Sequence, residues 1–398
     1  MKVLIINNDF RVYWKGRLTY LHKFLATKNI ALYAIELFGK GSPYAFDTYD
    51  NQAGWWNCLF PADSAAQLSK QAIKKKVFAG LDQLQPDIII APSIVFFAGA
   101  LGIQWAKKNK KKFIMFDDAR PVQVKRNPVV QWVKNLITAQ ADALWLPVED
   151  YAADYARFRN KKVHFFYGFS CIDNSFFKPT APVKHPAGNK IVCVARLVPI
   201  KNIDTLLKAW AIVEQNCKNC ELQIIGDGPE YLALKQLSTS LQTRNVAFLG
   251  AVANANLPGY YTAADAFILP SLSETWGLVV NEAMASGLPV LLSYGINAAQ
   301  SMLKQGINGF GFAPMDIDGM AETILRYIHL NEEARKNMSA NALQTIDGMS
   351  YGQMGIKLYN ALLKLDNTGI KKTNLLAAII INRWDGRYNT TGWDVPQS

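Results

Sequence analysis

Residues 266–292 read AFILPSLSETWGLVVNEAMASGLPVLL. Phe267-Ile268-Leu269 is an apolar run of strand length, and Pro270 with the serines after it ends the run at once. From about Leu278 the pattern turns helical as far as Ser286. Gly287 closes that helix, and Pro289 leads into another apolar run over 289–292. Strand, loop, helix and strand in this order form the repeating unit of a parallel sheet covered by helices.

The same alternation runs outward in both directions. Strands are expected at 2–6, 31–36, 87–91, 112–116, 143–147 and 163–167 in the first half, and at 190–195, 221–225, 246–249, 266–269 and 289–292 in the second. Helical stretches lie between them, among them Arg17 to Lys28 and Glu149 to Arg157. Around Phe177 to Gly188 the pattern breaks into Pro, Gly and Lys, which predicts a linker near 180–188. The fold class is therefore α/β, with two doubly wound, Rossmann-like domains and ligand sites beyond the carboxyl ends of the strands. The domains are predicted at 1–182 and 183–365. The tail, 366–398, carries Trp384, Tyr388 and Trp393 among polar residues and is expected to pack back on the first domain.

Composition narrows the class. A chain of 398 residues that is 50% hydrophobic and 19% charged can build a large core and is too apolar and too weakly charged for disorder. Five cysteines at irregular spacing suit reduced thiols. Cys217 and Cys220 form one isolated CxxC, and the four histidines are scattered without HExxH spacing, so no metal site is expected. Residues 1–180 hold 25 Lys and Arg against 14 Asp and Glu, whereas residues 181–398 hold 18 against 17. The first half thus carries the field, concentrated in Lys74-Lys75-Lys76 and in the lysines of 107–112. The apolar start, Val3 to Ile6, is too short for a signal-peptide core. Residues 88–106 are 19 uncharged positions, but Pro92-Ser93 divides them into a strand and a helix start, the form of a buried β-loop-α unit rather than a span.

Three loops of the second half carry chemistry. After the strand 190–195 come Arg196 and Lys201, two cations beside a helix start that Asn202 or Asp204 is placed to cap. Such a set suits a diphosphate, because Arg offers a bidentate fork, Lys a point charge and the helix start free N–H groups. Gly226-Asp227-Gly228-Pro229 turns the next strand into a helix, without the third glycine of a dinucleotide fingerprint. In the third loop Glu274 precedes a helix on which Glu282 has Leu278, Val279, Ala285 and Ser286 as neighbours. A carboxylate on so apolar a face needs a partner, and the two hydroxyls of a vicinal diol would serve.

Together these residues resemble the retaining glycosyltransferases of family 4, the glycosyl transferases group 1, which have the GT-B fold. The likeness is carried by the E-x7-E motif from Glu274 to Glu282, continued through Ala283-Met284-Ala285-Ser286-Gly287-Leu288-Pro289-Val290, and by Ala195-Arg196-Leu197-Val198-Pro199-Ile200-Lys201-Asn202, Gly226-Asp227-Gly228-Pro229, and Phe248-Leu249-Gly250 before Ala264-Asp265. It is most specific over 190–325 and extends over most of 1–365, where Gly16 follows the first strand.

The resemblance implies two domains facing a central cleft and transfer of a sugar, with retention of configuration and without a metal, from a UDP-sugar or GDP-sugar to a saccharide or lipid-linked acceptor. It implies surface polysaccharide or glycolipid synthesis and no other cofactor. Arg196 and Lys201 would hold the diphosphate, Glu282 the ribose and Glu274 the donor sugar, assisted by backbone N–H groups of Trp276, Gly277 and Leu278. Arg196, Lys201 and Glu274 are then the catalytic candidates. The base would lie near Gly250 and Val252, and Gly16 would let a first-domain loop approach the donor phosphate. Where members often carry His-Asp, the strand 113–116 runs into Asp117-Asp118, so Asp117 or Asp118 is the acceptor-side candidate. Gly295-Ile296-Asn297-Ala298-Ala299-Gln300 replaces the usual Gly-Gly and Glu.

The basic first domain is expected to meet an anionic or lipid-linked acceptor, from a cytoplasmic position peripheral to the inner face of the membrane. Rival readings are a GT-B-fold nucleotide-sugar epimerase, a glycoside hydrolase, and a basic binder of membrane or nucleic acid. A hydrolase has no need of cations on a diphosphate. Nucleic acid is not an expected partner, since no compact aromatic-basic motif is present.

Overall fold

The computed structural model describes residues 1–10, 13–40, 53–121, 127–179 and 189–386. The chain divides into two compact units, one built from Met1–Cys171 with the described residues from Tyr351 onward, the other from Ile172–Ser350.

The first unit holds β1 (Lys2–Asn7), β2 (Ala31–Phe38), β3 (Trp56–Phe60), β4 (Ile88–Pro92), β5 (Lys112–Phe116), β6 (Ala143–Leu146) and β7 (His164–Tyr167), ordered β3-β2-β1-β4-β5-β6-β7. All pairings are parallel; Ile5, for example, stands opposite Ala34 on one side and Ile90 on the other. Both faces are covered, so strands such as Ile88–Pro92 are buried at every position and read as continuous apolar runs. In the helix Tyr13–Ala26, Leu18, Leu21 and Leu25 recur at helical spacing and enter the core with Val3, Ile90, Ile114 and Trp145.

The second unit holds β8 (Asn189–Val194), β9 (Cys220–Ile225), β10 (Val246–Gly250), β11 (Ala266–Leu269), β12 (Val290–Ser293) and β13 (Gly309–Phe312), ordered β10-β9-β8-β11-β12-β13 and again all parallel. Two strands escaped the sequence reading. β3 lies in a Trp- and Asn-containing stretch without clear alternation, and β13 reads Gly-Phe-Gly-Phe, a composition that signals a turn. At Gly309 a side chain would strike the Val290 carbonyl, so glycine here serves close strand approach.

Other expectations are corrected. Glu149 to Arg157 is not an α-helix but two short 3₁₀ turns, Glu149–Ala152 and Ala156–Lys161. The Tyr151 and Tyr155 hydroxyls donate instead to the carbonyls of Asp118 and Ala119, at 3.2 and 3.0 Å. The helix Tyr351–Asp366, assigned from sequence to the second domain, belongs to the first unit, where Met354, Leu358, Leu362 and Leu365 complete its core. Gly16 lies within the helix Tyr13–Ala26 rather than in a loop, and what a Cβ there would meet is the Tyr351 hydroxyl.

The linker 180–188 and the tail residues Tyr388 and Trp393 lie outside the described residues. Trp384 is within them: its Nε1 donates to the Ile94 carbonyl at 2.7 Å, and its own carbonyl accepts from Gln104 Nε2 at 2.8 Å. The apolar stretch 88–106 splits into β4 and the helix Phe97–Lys108, and no helix among the described residues is long and apolar enough to cross a membrane.

The lysine runs are partly engaged inside the first unit. Lys107 pairs with Asp142 at 2.8 Å with both side chains 7% exposed, and the same carboxylate oxygen accepts from the Phe113 amide at 2.9 Å. Lys112 donates to the Thr368 carbonyl at 2.7 Å, Lys111 pairs with Asp87, Lys74 with Asp385, and Lys76 sits over the Phe60 ring. Part of the clustered charge is thus engaged within the unit, while Lys75, Lys76, Lys108 and Lys110 remain exposed.

Two stability predictions follow from these buried charges. Lys107→Ala leaves the Asp142 carboxylate buried without its counter-ion and should lower the unfolding free energy of the first unit by about 3–5 kcal/mol in a urea titration. Asp265, fully buried, accepts from the Lys190 amide at 2.8 Å, and burial pushes its pKa up to about 6. The native state then binds this proton more tightly than the unfolded chain does, so the contribution is full below about pH 4 and falls as pH rises through 6. Across that window the wild type should lose about 3 kcal/mol relative to Asp265→Asn, read as the pH-dependent difference between their unfolding free energies.

Candidate active site

Because β8, β9, β10, β11 and β12 are parallel, their carboxyl-end loops lie along one edge of the second sheet. The β8 loop carries Arg196, half-buried, and Lys201. Beneath it lies the β9 loop. Gly226 has φ +137° and a Cβ there would strike the Ala195 carbonyl; one at Gly228 would strike the Leu197 carbonyl. The Leu197 amide donates to the Asp227 carbonyl at 2.9 Å. The two glycines thus let one backbone support the other directly.

Asn202 does not cap the helix that follows it. Its backbone is left-handed, with φ +59°, and its side chain reaches across to other loops. Nδ2 donates to the carbonyls of Pro270 and Pro314 at 3.1 and 2.7 Å, while Oδ1 accepts from Thr205 Oγ1 at 2.7 Å. Together with the Leu272 amide donating to the Ile200 carbonyl at 2.8 Å, these bonds tie the β8 loop to the β11 loop.

At that junction Lys201 Nζ pairs with Glu274 Oε1, the side chains being 14% and 6% exposed. Ser271 Oγ donates to the same oxygen at 2.8 Å. The sequence assigned Lys201 to a phosphate and Glu274 to a sugar; in this structure the two also hold each other. The Glu274 backbone pairs with Ile296, and Asn297 Nδ2 donates to the Thr275 carbonyl at 3.0 Å. The divergent segment Gly295 to Gln300 therefore clamps the loop that presents Glu274.

The helix Leu278–Ala285 starts at Gly277, whose φ of +95° and missing side chain leave that end without a side-chain cap. Glu282 on this helix is 1% exposed, and its Oε2 accepts from the Tyr261 hydroxyl at 2.8 Å. Asn281 is fully buried and accepts from Trp276 Nε1 at 2.9 Å, which orients the loop tryptophan. Tyr261, Ser271, Asn281 and Asn297 escaped the sequence reading. Tyr261 comes 21 residues before Glu282, and no local spacing announces a partner so far away.

Gly250 ends β10 with φ +69°, its carbonyl accepting from the Gly226 amide at 2.8 Å; Val252 follows, half-buried. Gly16, Asp117 and Asp118 belong to the first unit. Asp117 Oδ1 accepts from the Ala119 amide at 3.1 Å at the carboxyl end of β5, and burial, with the Asp117 charge next, holds the Tyr155 phenol well above its ordinary pKa.

The Tyr261 to Glu282 bond has a measurable consequence. Tyr261→Phe leaves a buried carboxylate short of one donor and should destabilise the second unit by about 1–3 kcal/mol in thermal or urea unfolding.

Residues 177–345 match the family described as glycosyl transferases group 1. The chain is 32% identical over 154 residues to alpha-monoglucosyldiacylglycerol synthase of Acholeplasma laidlawii, a match covering 38% of this chain and 37% of that enzyme. It is 25% identical over 394 residues to a GDP-mannose-dependent monoacylated alpha-(1-6)-phosphatidylinositol monomannoside mannosyltransferase of Corynebacterium glutamicum, covering 91% and 97% of the two chains. Among solved structures, Anabaena HepE in complex with UDP superposes with a TM-score of 0.72 at 19% identity, covering 92% of this chain and 100% of that one. The matched domain coincides with the unit that carries the Lys201–Glu274 loops, and the paired parallel sheets are those of GT-B structures. Over residues 177–345 the chain is similar to the glycosyl transferases group 1, and its two parallel sheets have the GT-B fold.

Proposed function

We propose that this protein is a retaining, metal-independent glycosyltransferase that moves a hexosyl group from a UDP-sugar or GDP-sugar to a saccharide or lipid-linked acceptor. The observation that carries the reading is the buried meeting of Lys201, Glu274 and Ser271 at the strand ends, with Arg196 opening the same loop and Glu282 on the helix that follows. A cation and a carboxylate held so closely form a site for a ligand that is anionic at one end and rich in hydroxyls at the other. The names of the relatives support the acceptor class, since one is a monoglucosyldiacylglycerol synthase and another a phosphatidylinositol monomannoside mannosyltransferase.

In this reading Lys201 turns from Glu274 to the donor diphosphate, joined by Arg196, and Glu274 is released to accept from donor-sugar hydroxyls. The N–H groups of Trp276, Gly277 and Leu278 meet the donor at the uncapped helix start. Glu282, oriented by Tyr261, accepts from the ribose hydroxyls, and the base lies beside Gly250 and Val252. The bond between the anomeric carbon and the diphosphate oxygen breaks with its electrons leaving on the diphosphate. The acceptor oxygen bonds to the same face of the carbon, and its proton passes to a phosphate oxygen. Positive charge preorganised on the departing group favours the transition state over the ground state. Asp117 or Asp118 is the acceptor-side candidate, and synthesis of surface polysaccharide or glycolipid is the setting.

A thermal-shift screen against UDP, GDP and their sugars tests the donor site. At 100 times its Kd the correct nucleotide should stabilise by about 2.7 kcal/mol, and Glu282→Ala should abolish the shift. Lys201→Ala should reduce kcat on the order of 10²–10³-fold, EDTA should leave the rate unchanged, and NMR of the product should show the donor's anomeric configuration. Turnover of the donor without any acceptor would favour the epimerase, and no shift at millimolar nucleotide would overturn the assignment.

A further inference from the structure

We propose that the face built by the helices Pro128–Thr138 and Leu375–Arg383 docks on a lipid bilayer carrying anionic headgroups. The two helices pack against each other, and Lys371 Nζ ties them by donating to the carbonyls of Ala139 and Ala141 at 2.6 and 3.2 Å. Their outward surface is apolar. Val129 is 67% exposed, Trp132 52%, Leu375 79% and Leu376 51%, with Val130 and Ile379 beside them above 40%. In the first helix Val129, Trp132, Val133 and Leu136 recur at helical spacing, yet only Ile137 and Thr138 are buried. In the second, Ala377 and Ile381 face the domain while the larger Leu375, Leu376 and Ile379 point away. The first helix is amphipathic with most of its apolar side outside the core, and the second is apolar on its outward side as well as its inward one.

Charge decides the occupant. Residues 127–139 and 368–383 contain no Asp or Glu, and of the cations in them Lys372 and Arg383 are exposed. A second copy of the chain would bring these like charges together, and a nucleic acid would leave the leucines and Trp132 in water. Apolar side chains framed by cations match the acyl boundary and phosphate layer of an anionic membrane. The proposal stands on this surface alone and does not require the transferase reading.

The experiment is co-sedimentation of the full chain with vesicles of phosphatidylcholine, with and without phosphatidylglycerol, at low salt. The wild type should bind the vesicles containing phosphatidylglycerol. Trp132→Ser with Leu375→Ser and Leu376→Ser should weaken that binding by roughly tenfold or more. Lys372→Glu with Arg383→Glu should lose about tenfold on anionic vesicles only. All five positions are solvent-facing, so both variants should keep the wild-type melting temperature and any nucleotide-induced shift, which separates failure here from failure of the donor site. Wild type that does not sediment with anionic vesicles, or a triple variant that binds as wild type does, would overturn the proposal. So would a wild-type dimer, dissolved by the triple variant, in place of vesicle binding, which would assign the face to a second copy.

Discussion

The buried pairing of Lys201 with Glu274 organises the second unit's strand-end loops. The two residues come from loops after β8 and β11, neighbouring parallel strands separated by 73 positions between the paired side chains. An ion pair largely removed from water holds only if its remaining valences are met, and Ser271 supplies a donor to the carboxylate. Asn202 bonded to Pro270 and Pro314, and the Ile200 carbonyl bonded to the Leu272 amide, fix the backbones beneath the pair. Preorganisation of this kind places charge before a ligand arrives, so little is spent on reorganising the loops as a reaction proceeds.

The carboxylates differ because their surroundings differ. Glu274 is balanced by a cation, whereas Glu282 is answered by the neutral Tyr261 hydroxyl within an apolar helix face. The first suits a group that must exchange partners, and the second a group that must stay oriented. Asn281 bonded to Trp276 and Asn297 bonded to Thr275 complete the frame with neutral polar groups. Such buried neutral pairs constrain direction without adding an unpaired charge to the interior.

Electrostatics in the first unit follow the same logic with a different outcome. Lys107, Lys111 and Lys112 end a helix and begin a strand, so their charges fall beside Asp142, Asp87 and the Thr368 carbonyl. They stabilise the joint between sheet, helix and the returning chain. Large apolar side chains are instead left exposed at the helices 128–138 and 375–383, beside the exposed Lys372 and Arg383.

Short-range pattern settled a great deal by itself. Apolar runs of strand length alternating with helical periodicity, many of them bounded by Gly or Pro, specify two parallel sheets and the ends at which loops collect. The spacing of Glu274, Glu282, Arg196 and Lys201 around those ends marked the candidate site, because each sits at a strand end or on the first turns of a helix. Tertiary structure alone decided which groups touch. Glu282 meets Tyr261 and Lys201 meets Glu274 through pairings set by strand order, which no local window contains. The Tyr351–Asp366 helix joins the first unit because Met354, Leu358, Leu362 and Leu365 find their apolar complement there. β13 is a strand because close approach to Val290 outweighs the turn preference of its glycines. Gly16 lies in a helix with Tyr351, more than 300 residues on, filling the space where a Cβ would stand. Periodicity is encoded locally, whereas partnership depends on contacts between distant parts of the chain.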